Sequence, residues 1–316
     1  MKKTLSLLSL MASLSILPLI SCNKKVNDSN LDVSPATKSS NAKALDIARQ
    51  INAEFKGSKQ GPNTLASNVQ VGVTVGADLV AGGLALKSTA AWWAIGPVGA
   101  WGSGLVSACC AAGASISAYH GMAKAAIVRN GGTPPQTWFD DYNTAAAKLE
   151  NYAVVAERNP FSNPFDSVGI RHNQYVKLYY TSQNYYLPDS TFYLINPVNL
   201  PSEEAAAIQS FPVNIPLYNS IDYGFINPML DSASLMAFAN HGYGQVGTNT
   251  FLQNFTNMFL NGVLSCRTYK DVVSLAHAYE QQYVTFSGFD DFERRYVLSI
   301  IATAKYSALL WEQVNS

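Results

Sequence analysis

The stretch VGVTVGADLVAGGLALKSTAAWWAIGPVGAWGSGLVSACCAAGASISAYHGMAKAAIV, running from Val71 to Val128, decides the fold. It is apolar, rich in glycine and alanine, and broken once at Gly96-Pro97; from Ser88 to Ala123 it holds no Asp, Glu, Lys or Arg. Small residues recur at every fourth position. Gly96, Ala100, Gly104, Ala108 and Ala112 form one row, and Gly99, Ser103, Ser107, Ala111 and Ser115 form the next. At about 3.6 residues per helical turn, such rows leave a smooth face against which another helix packs nearly backbone to backbone. A first helical arm is expected over about Asn68 to Lys87 and a second from Pro97 to about Arg129, with Trp92, Trp93 and Trp101 at the corner between them. Glycine costs up to ~1 kcal/mol relative to alanine inside a helix, so only close packing justifies this composition.

Two settings suit such a hairpin. Inserted in a bilayer, it would carry tryptophans at the interface, but Asp78 would then cost ~2.5 to 3.5 kcal/mol at mid-depth. As the buried centre of a helical domain it needs only partner helices. Its residues are small more than they are apolar, which favours the second setting.

Outward from this stretch, the amino terminus reads as an export signal. Met1-Lys2-Lys3 is positive, and Leu7 to Leu19 is apolar but short for a membrane span. Leu19-Ile20-Ser21-Cys22 resembles the bacterial lipobox, which makes Cys22 the residue to be lipidated and residues 1–21 a signal peptide. Two or three acyl chains at ~0.8 kcal/mol per methylene anchor a protein without any spanning helix. Residues 22–41 are polar and aperiodic and read as a flexible tether reaching ~25 Å. Residues 42–316 then form a single α-helical domain, with a hairpin half over 42–160 and a bundle half over 161–316.

Composition narrows the function. Hydrophobic residues make up 48% of the 316 and charged residues only 13%, balanced to zero net charge. That is ample for a core and offers no basic field for nucleic acid. Cys109, Cys110 and Cys266 are expected as buried thiols, with a bridge from Cys266 to Cys109 or Cys110 as the alternative.

Helices are expected over Ala42 to Lys56, Gln136 to Glu157, from Asn163-Pro164-Phe165-Asp166 onward, from Asn227-Pro228 to about Asn240, and over Thr250 to Leu264, Tyr269 to Tyr283 and Asp290 to Val314. His241-Gly242-Tyr243-Gly244 reads as a turn, and Thr191 to Ile195 as a short strand. Asn163 caps, Pro164 suits a first turn and Asp166 favours the positive end of the dipole. Asp290-Asp291 reads as a cap. The fold class is all-α, a multi-helix bundle around the central hairpin.

The hairpin, the motif Asn163-Pro164-Phe165-Asp166-Ser167-Val168-Gly169-Ile170-Arg171-His172-Asn173 and a terminal helix with Tyr306-Ser307 and Trp311 together resemble a group of uncharacterised secreted proteins and lipoproteins of Bacteroides-type bacteria. The resemblance implies an envelope location, with the outer membrane favoured over the inner, and carries no activity.

Chemistry is sparse. The four histidines are scattered, and no zinc, phosphate-loop or nucleophile-elbow motif occurs. No metal or cofactor is therefore expected, and His277 with Glu280 reads as a solvated pair. Asp166, Arg171, His172 and Asn173 form the candidate polar site. For His172 the choice lies between a general base and a hydrogen-bonded histidine that locks its helix to a neighbour, with the second favoured. Tyr175, Tyr179, Tyr180, Tyr185, Tyr186, Phe192 and Tyr193 offer an aromatic surface for a glycan or protein, or else core packing. The function expected is a non-enzymatic envelope lipoprotein with a binding role; the alternatives are a membrane-inserting, bacteriocin-like effector and a hydrolase built on His172.

Overall fold

In the computed structural model, residues 35–57, 65–90, 102–108, 110–114, 118, 137–154, 163–181, 232–245 and 249–316 are described. Eight helices can be delimited at both ends: α1 (Pro35–Gly57), α2 (Leu65–Ser88), α3 (Thr137–Glu150), α4 (Asp166–Thr181), α5 (Ser232–Gln245), α6 (Thr250–Leu264), α7 (Tyr269–Tyr283) and α8 (Asp291–Asn315). Residues 102–108 and 110–114 are helical as well, and no strand occurs among the described residues. The protein is all-α. Ser39–Ser316 make one compact unit; of the other, Met1–Lys38, only the first helical residues of α1 are described.

The first arm of the glycine-rich stretch is α2, and it sits at the centre. Every residue from 71 to 80 is buried, with α8, α6 and α5 packed around the helix. Its glycines mark the closest approaches. A Cβ on Gly72 would sit 2.9 Å from the Leu264 Cα of α6, and one on Gly83 would sit 2.7 Å from the Tyr296 hydroxyl of α8. Gly82 lies against Ser107 and Ala111, and the Ser107 hydroxyl donates to the Gly82 carbonyl at 3.0 Å. Two members of one small-residue row, Ser107 and Ala111, thus lie against α2. Among the described residues no helix is long and apolar enough to cross a membrane. The corner at Gly96-Pro97, its tryptophans and the end of the second arm lie outside the described residues, as do Cys109, the expected strand at 191–195 and the start at Asn227-Pro228.

The second spine is α8, buried along most of its 25 residues. The Asp290 carboxylate accepts from the Glu293 N–H and Glu293 returns the bond, a capping box that starts the helix as expected. Glu293 also accepts from Asn41 at 2.9 Å, which ties α1 to this end. Further along α1, the Tyr279 and Tyr283 hydroxyls of α7 bond Asn52 at 3.0 Å and the Ala44 carbonyl at 2.6 Å. Their rings pack with Phe255 and Phe259, Tyr283 standing edge-on to Phe255 at 5.2 Å.

Three boundaries differ from expectation. Helix α1 begins at Pro35 instead of Ala42, so the last residues assigned to the tether are helical; Pro35 suits a first turn, and the bond from Asn41 gives the added turns a tertiary anchor. Helix α5 runs through His241-Gly242-Tyr243-Gly244 to Gln245, where a turn is expected. Gly242 serves contact there, because Leu84 of α2 lies where its Cβ would be, and Tyr243 is buried one residue later. Helix α3 stops at Glu150, short of Glu157. Cys110 and Cys266 are thiols, so no bridge joins those two; the Cys266 sulfur donates to the Gly262 carbonyl at 3.4 Å.

The close approaches separate glycines by consequence. A Cβ on Gly169 would lie 2.6 Å from the Ala302 carbonyl oxygen, whereas among the described residues one on Gly104 would meet only the Val168 Cγ2, at 3.5 Å. Gly169→Ala is expected to lower unfolding free energy by ~1–3 kcal/mol through overpacking. Gly104→Ala should be neutral or stabilising by up to ~1 kcal/mol, as alanine favours helix. Urea midpoints measure both, and equal midpoints would contradict the packing described.

Candidate functional site

The candidate residues of α4 do not converge on one site. They divide between two polar clusters and a pocket, and α8 supplies the partners in each.

In the first cluster, the Asp78 carboxylate of α2 is fully buried. Its Oδ2 accepts from the Ser307 hydroxyl of α8 and lies 3.0 Å from His172 Nε2 of α4. The other ring nitrogen, Nδ1, lies 2.8 Å from the Asn173 amide oxygen, whose orientation is set by its own Nδ2 donating to the Tyr306 carbonyl at 2.9 Å. Both ring nitrogens thus face acceptors. The contact joins α2 to α4 as a carboxylate beside an imidazole, both withdrawn from water. Asp78 Oδ1 and the Thr74 hydroxyl one turn before it find no partner among the described residues.

The residue types of a hydrolytic triad are present here in the wrong order. In a triad the histidine stands between serine and carboxylate; in this cluster the carboxylate stands between serine and histidine, and all three residues are buried. The Ser307 hydroxyl donates its hydrogen bond to Asp78 and not to His172, and His172 contacts α2 through the same carboxylate.

In the second cluster, Lys305 Nζ of α8 lies 2.8 Å from Glu280 Oε1 of α7 and 2.8 Å from Asp166 Oδ1 of α4. The Lys305 and Glu280 side chains are fully buried. Asn163 caps α4 as expected, its Oδ1 accepting from the Phe165 N–H at 3.0 Å. Its Nδ2 also reaches Glu280 at 3.0 Å and the Leu298 carbonyl at 2.9 Å. Glu280 is therefore no member of a solvated pair with His277. The spacing of three on α7 is real, but the side chain turns inward because Lys305 offers a cation and the interior offers no water.

Arg171 bonds Gln174 at 3.1 Å and lines a pocket of about 260 Å³. Among the described residues, Leu86 of α2, Gly104 and Leu105, Pro164 to Val168 apart from Asp166, and Arg295 with Ser299 of α8 also line it. Of the aromatic set, Tyr175 and Tyr180 are core residues, and Tyr180 stands edge-on to Trp311 at 6.5 Å. They supply no surface. Of Tyr179 only the helical backbone is described, and Tyr185, Tyr186, Phe192, Tyr193 and the lipidation candidate Cys22 lie outside the described residues. Among the described residues, no three His, Cys, Asp or Glu side chains gather as metal ligands.

A third cluster surrounds Gly83, where the Tyr243, Tyr296 and Thr256 hydroxyls bond one another. Burial pushes the Tyr243 phenol up to about 12, although its bonds to Thr256 and Tyr296 act the other way. Tyr296 is raised by the same burial and by Tyr243 beside it. For Lys305, burial acts to lower the pKa, but the attraction of Glu280 and the bonds to Asp166 and Glu280 outweigh it, and the net shift is upward.

Two predictions follow from these environments. Lys305→Met leaves Glu280 buried without its cation and should cost ~3–5 kcal/mol, while adding Glu280→Gln should recover part of the loss; urea unfolding of the single and double variants measures this. For pH, the three raised groups are all protonated in the fold, and their folded pKa values exceed the ordinary 10.0 of tyrosine and 10.5 of lysine. Their contribution is complete below about pH 10 and falls as pH rises through the raised values. A fraction of the tyrosines should ionise only as helical ellipticity is lost; full tyrosinate absorbance with ellipticity intact would contradict it.

No protein-family model, no curated protein and no solved structure matches the chain.

Proposed function

We propose that the chain is a lipid-anchored protein of the bacterial cell envelope, on the outer membrane in preference to the inner, with a binding role and no catalytic one. The observation that carries the location is the amino-terminal sequence. A positive start, a short apolar run and Leu19-Ile20-Ser21-Cys22 are the features a lipoprotein-processing pathway reads. The burial of His172, Asp78 and Ser307, with the serine hydroxyl bonded to the carboxylate and not to the histidine, supports a structural role for the one cluster that resembles hydrolytic machinery.

Membrane insertion by the glycine-rich stretch is the less favoured reading. Moving α2 into a bilayer would take Asp78 from His172 and Ser307 and strand a carboxylate in hydrocarbon. The small residues of α2 already have close partners in α5, α6 and α8.

Expressed in a bacterium with a lipoprotein-processing pathway, the chain should incorporate labelled palmitate and fractionate with membranes. Cys22→Ala should abolish the label and leave the precursor unprocessed. Label retained by that variant would refute the anchor, and dye release from liposomes by the folded chain would favour the inserting effector.

A further inference from the structure

We propose that the groove of α6, α7 and the start of α8 in which α1 lies is a helix-recognition site, and that α1 of a second copy of the chain exchanges there with the chain's own. The inference goes beyond the reading above: it concerns association between copies and needs neither the lipid anchor nor any other partner.

Asn41, Ala44, Ala48 and Asn52 follow one another at spacings of three and four, which puts them on one face of α1. Each meets a polar atom of the groove. Asn41 donates to Glu293 of α8 at 2.9 Å. The Tyr283 hydroxyl of α7 donates to the Ala44 carbonyl at 2.6 Å, and the Tyr279 hydroxyl lies 3.4 Å from the Ala48 carbonyl and 3.0 Å from Asn52 Oδ1. Asn52 Nδ2 donates to the Met258 carbonyl of α6 at 2.8 Å. A carbonyl oxygen has two lone pairs, so Ala44 and Ala48 accept a phenol without giving up their bonds within the helix. A phenol reaches the backbone of a helix only where the side chains beside it are small, and Ala44 and Ala48 are both fully buried.

Glycines shape the groove toward its two ends. A Cβ on Gly262 would lie 2.5 Å from Asn52 Oδ1, and one on Gly288 would lie 2.9 Å from the Ser40 Cβ, so both mark close approaches to α1. The groove is matched to a helix that carries Asn, Ala, Ala and Asn at these spacings, a description met by α1 of every copy.

The way α1 is attached favours exchange. Among residues 39–55 the buried ones are Ala44, Ala48 and Ile51, two of them alanines, whereas α8 is buried along most of its length. A helix with so little apolar burial opens at a lower free energy than the core on which it lies. The contacts it regains are the same in its own groove and in that of another copy, so concentration decides between them. A linked helix competes at an effective concentration on the order of millimolar, and exchange therefore emerges as the protein is concentrated.

The test uses the full chain carrying Cys22→Ala, so that no acyl chain drives association, and a fluorescein-labelled peptide of residues 35–57. Adding Ala44→Gln and Ala48→Gln to the chain places longer side chains beneath the two phenols and releases its own α1. That released chain should bind the peptide at least about tenfold more tightly than the chain without the pair, because its α1 no longer competes. In the peptide, Ala48→Gln should abolish binding, and Asn52→Ala should weaken it about tenfold by removing the bonds to Met258 and Tyr279; neither change touches the fold of the chain. At roughly millimolar protein, light scattering should find dimers of the Cys22→Ala chain and monomers of the released chain. Thermal melts establish that the released chain is folded; if it is not, Asn52→Ala in the chain, which loosens α1 without added bulk, takes its place. Absence of peptide binding to the folded released chain, equal binding of the Ala48→Gln peptide, absence of dimers, or dimers formed equally by the released chain overturns the proposal. Palmitate labelling at Cys22 is indifferent to all of these outcomes, so failure of the exchange and failure of the anchor are distinguishable.

Discussion

A carboxylate in the middle of a fully buried helix is the constraint on which the rest of the structure depends. Asp78 has no access to water, and leaving it there unpaired would cost several kcal/mol. It is accommodated because α4 brings His172 and α8 brings Ser307 to the same oxygen. Fixing those three side chains fixes the relative register of three helices. Asn173, bonded to both His172 and the Tyr306 carbonyl, then permits only one rotation of α4 on α8. Hydrophobic burial alone tolerates small slips between helices; a buried carboxylate held by directed polar contacts does not.

Lys305 repeats the device one layer away. Its ammonium group joins α8 to α7 through Glu280 and to the start of α4 through Asp166. The two clusters thus share α4 and α8, the first adding the central α2 and the second adding α7. Buried ion pairs are weak contributors to net stability, since desolvation offsets much of their attraction. Their effect here is on uniqueness: each charge has one place where it is matched, so packings that separate the partners are penalised far more than the native arrangement is favoured.

How much of this was legible in the residues depends on the kind of pattern. Helix existence followed from periodicity, and the caps at Asn163 and Asp290 followed from residue types that bond their own backbone. Small-residue spacing marked Ser107 and Ala111 as part of a face for a partner helix, without naming Gly82 as what they meet. What local patterns cannot carry is pairing across some ninety residues or more: Asp78 with His172, or Asn163 with Glu280. A signal did exist. Asp78 is the only charged residue between Leu65 and Leu86, and Lys305 the only one between Tyr296 and Trp311. A lone charge in an apolar helix announces an internal partner without naming it. Glu280 is likewise the only charged residue between Val272 and Phe289, but Ser274, His277, Gln281 and Gln282 give its helix an ordinary polar face, so its inward direction is set by the approach of α8.

The pocket beside Arg171 is a consequence of the same geometry. Asp166 and His172 lie six positions apart on α4, too far around the helix to share a face, and each is drawn to its own partner. Arg171 and Ser167, four apart, are left on a third direction, toward Leu86 and Leu105. On α8 the packing that places Lys305, Tyr306 and Ser307 against three helices also directs Arg295 and Ser299, two to three turns earlier, to that same space. Gly104 widens it, since a residue with no side chain stands where a larger one would reach Val168. The polar clusters hold the helices in one register, and that register sets two cationic side chains at the edge of an apolar cavity.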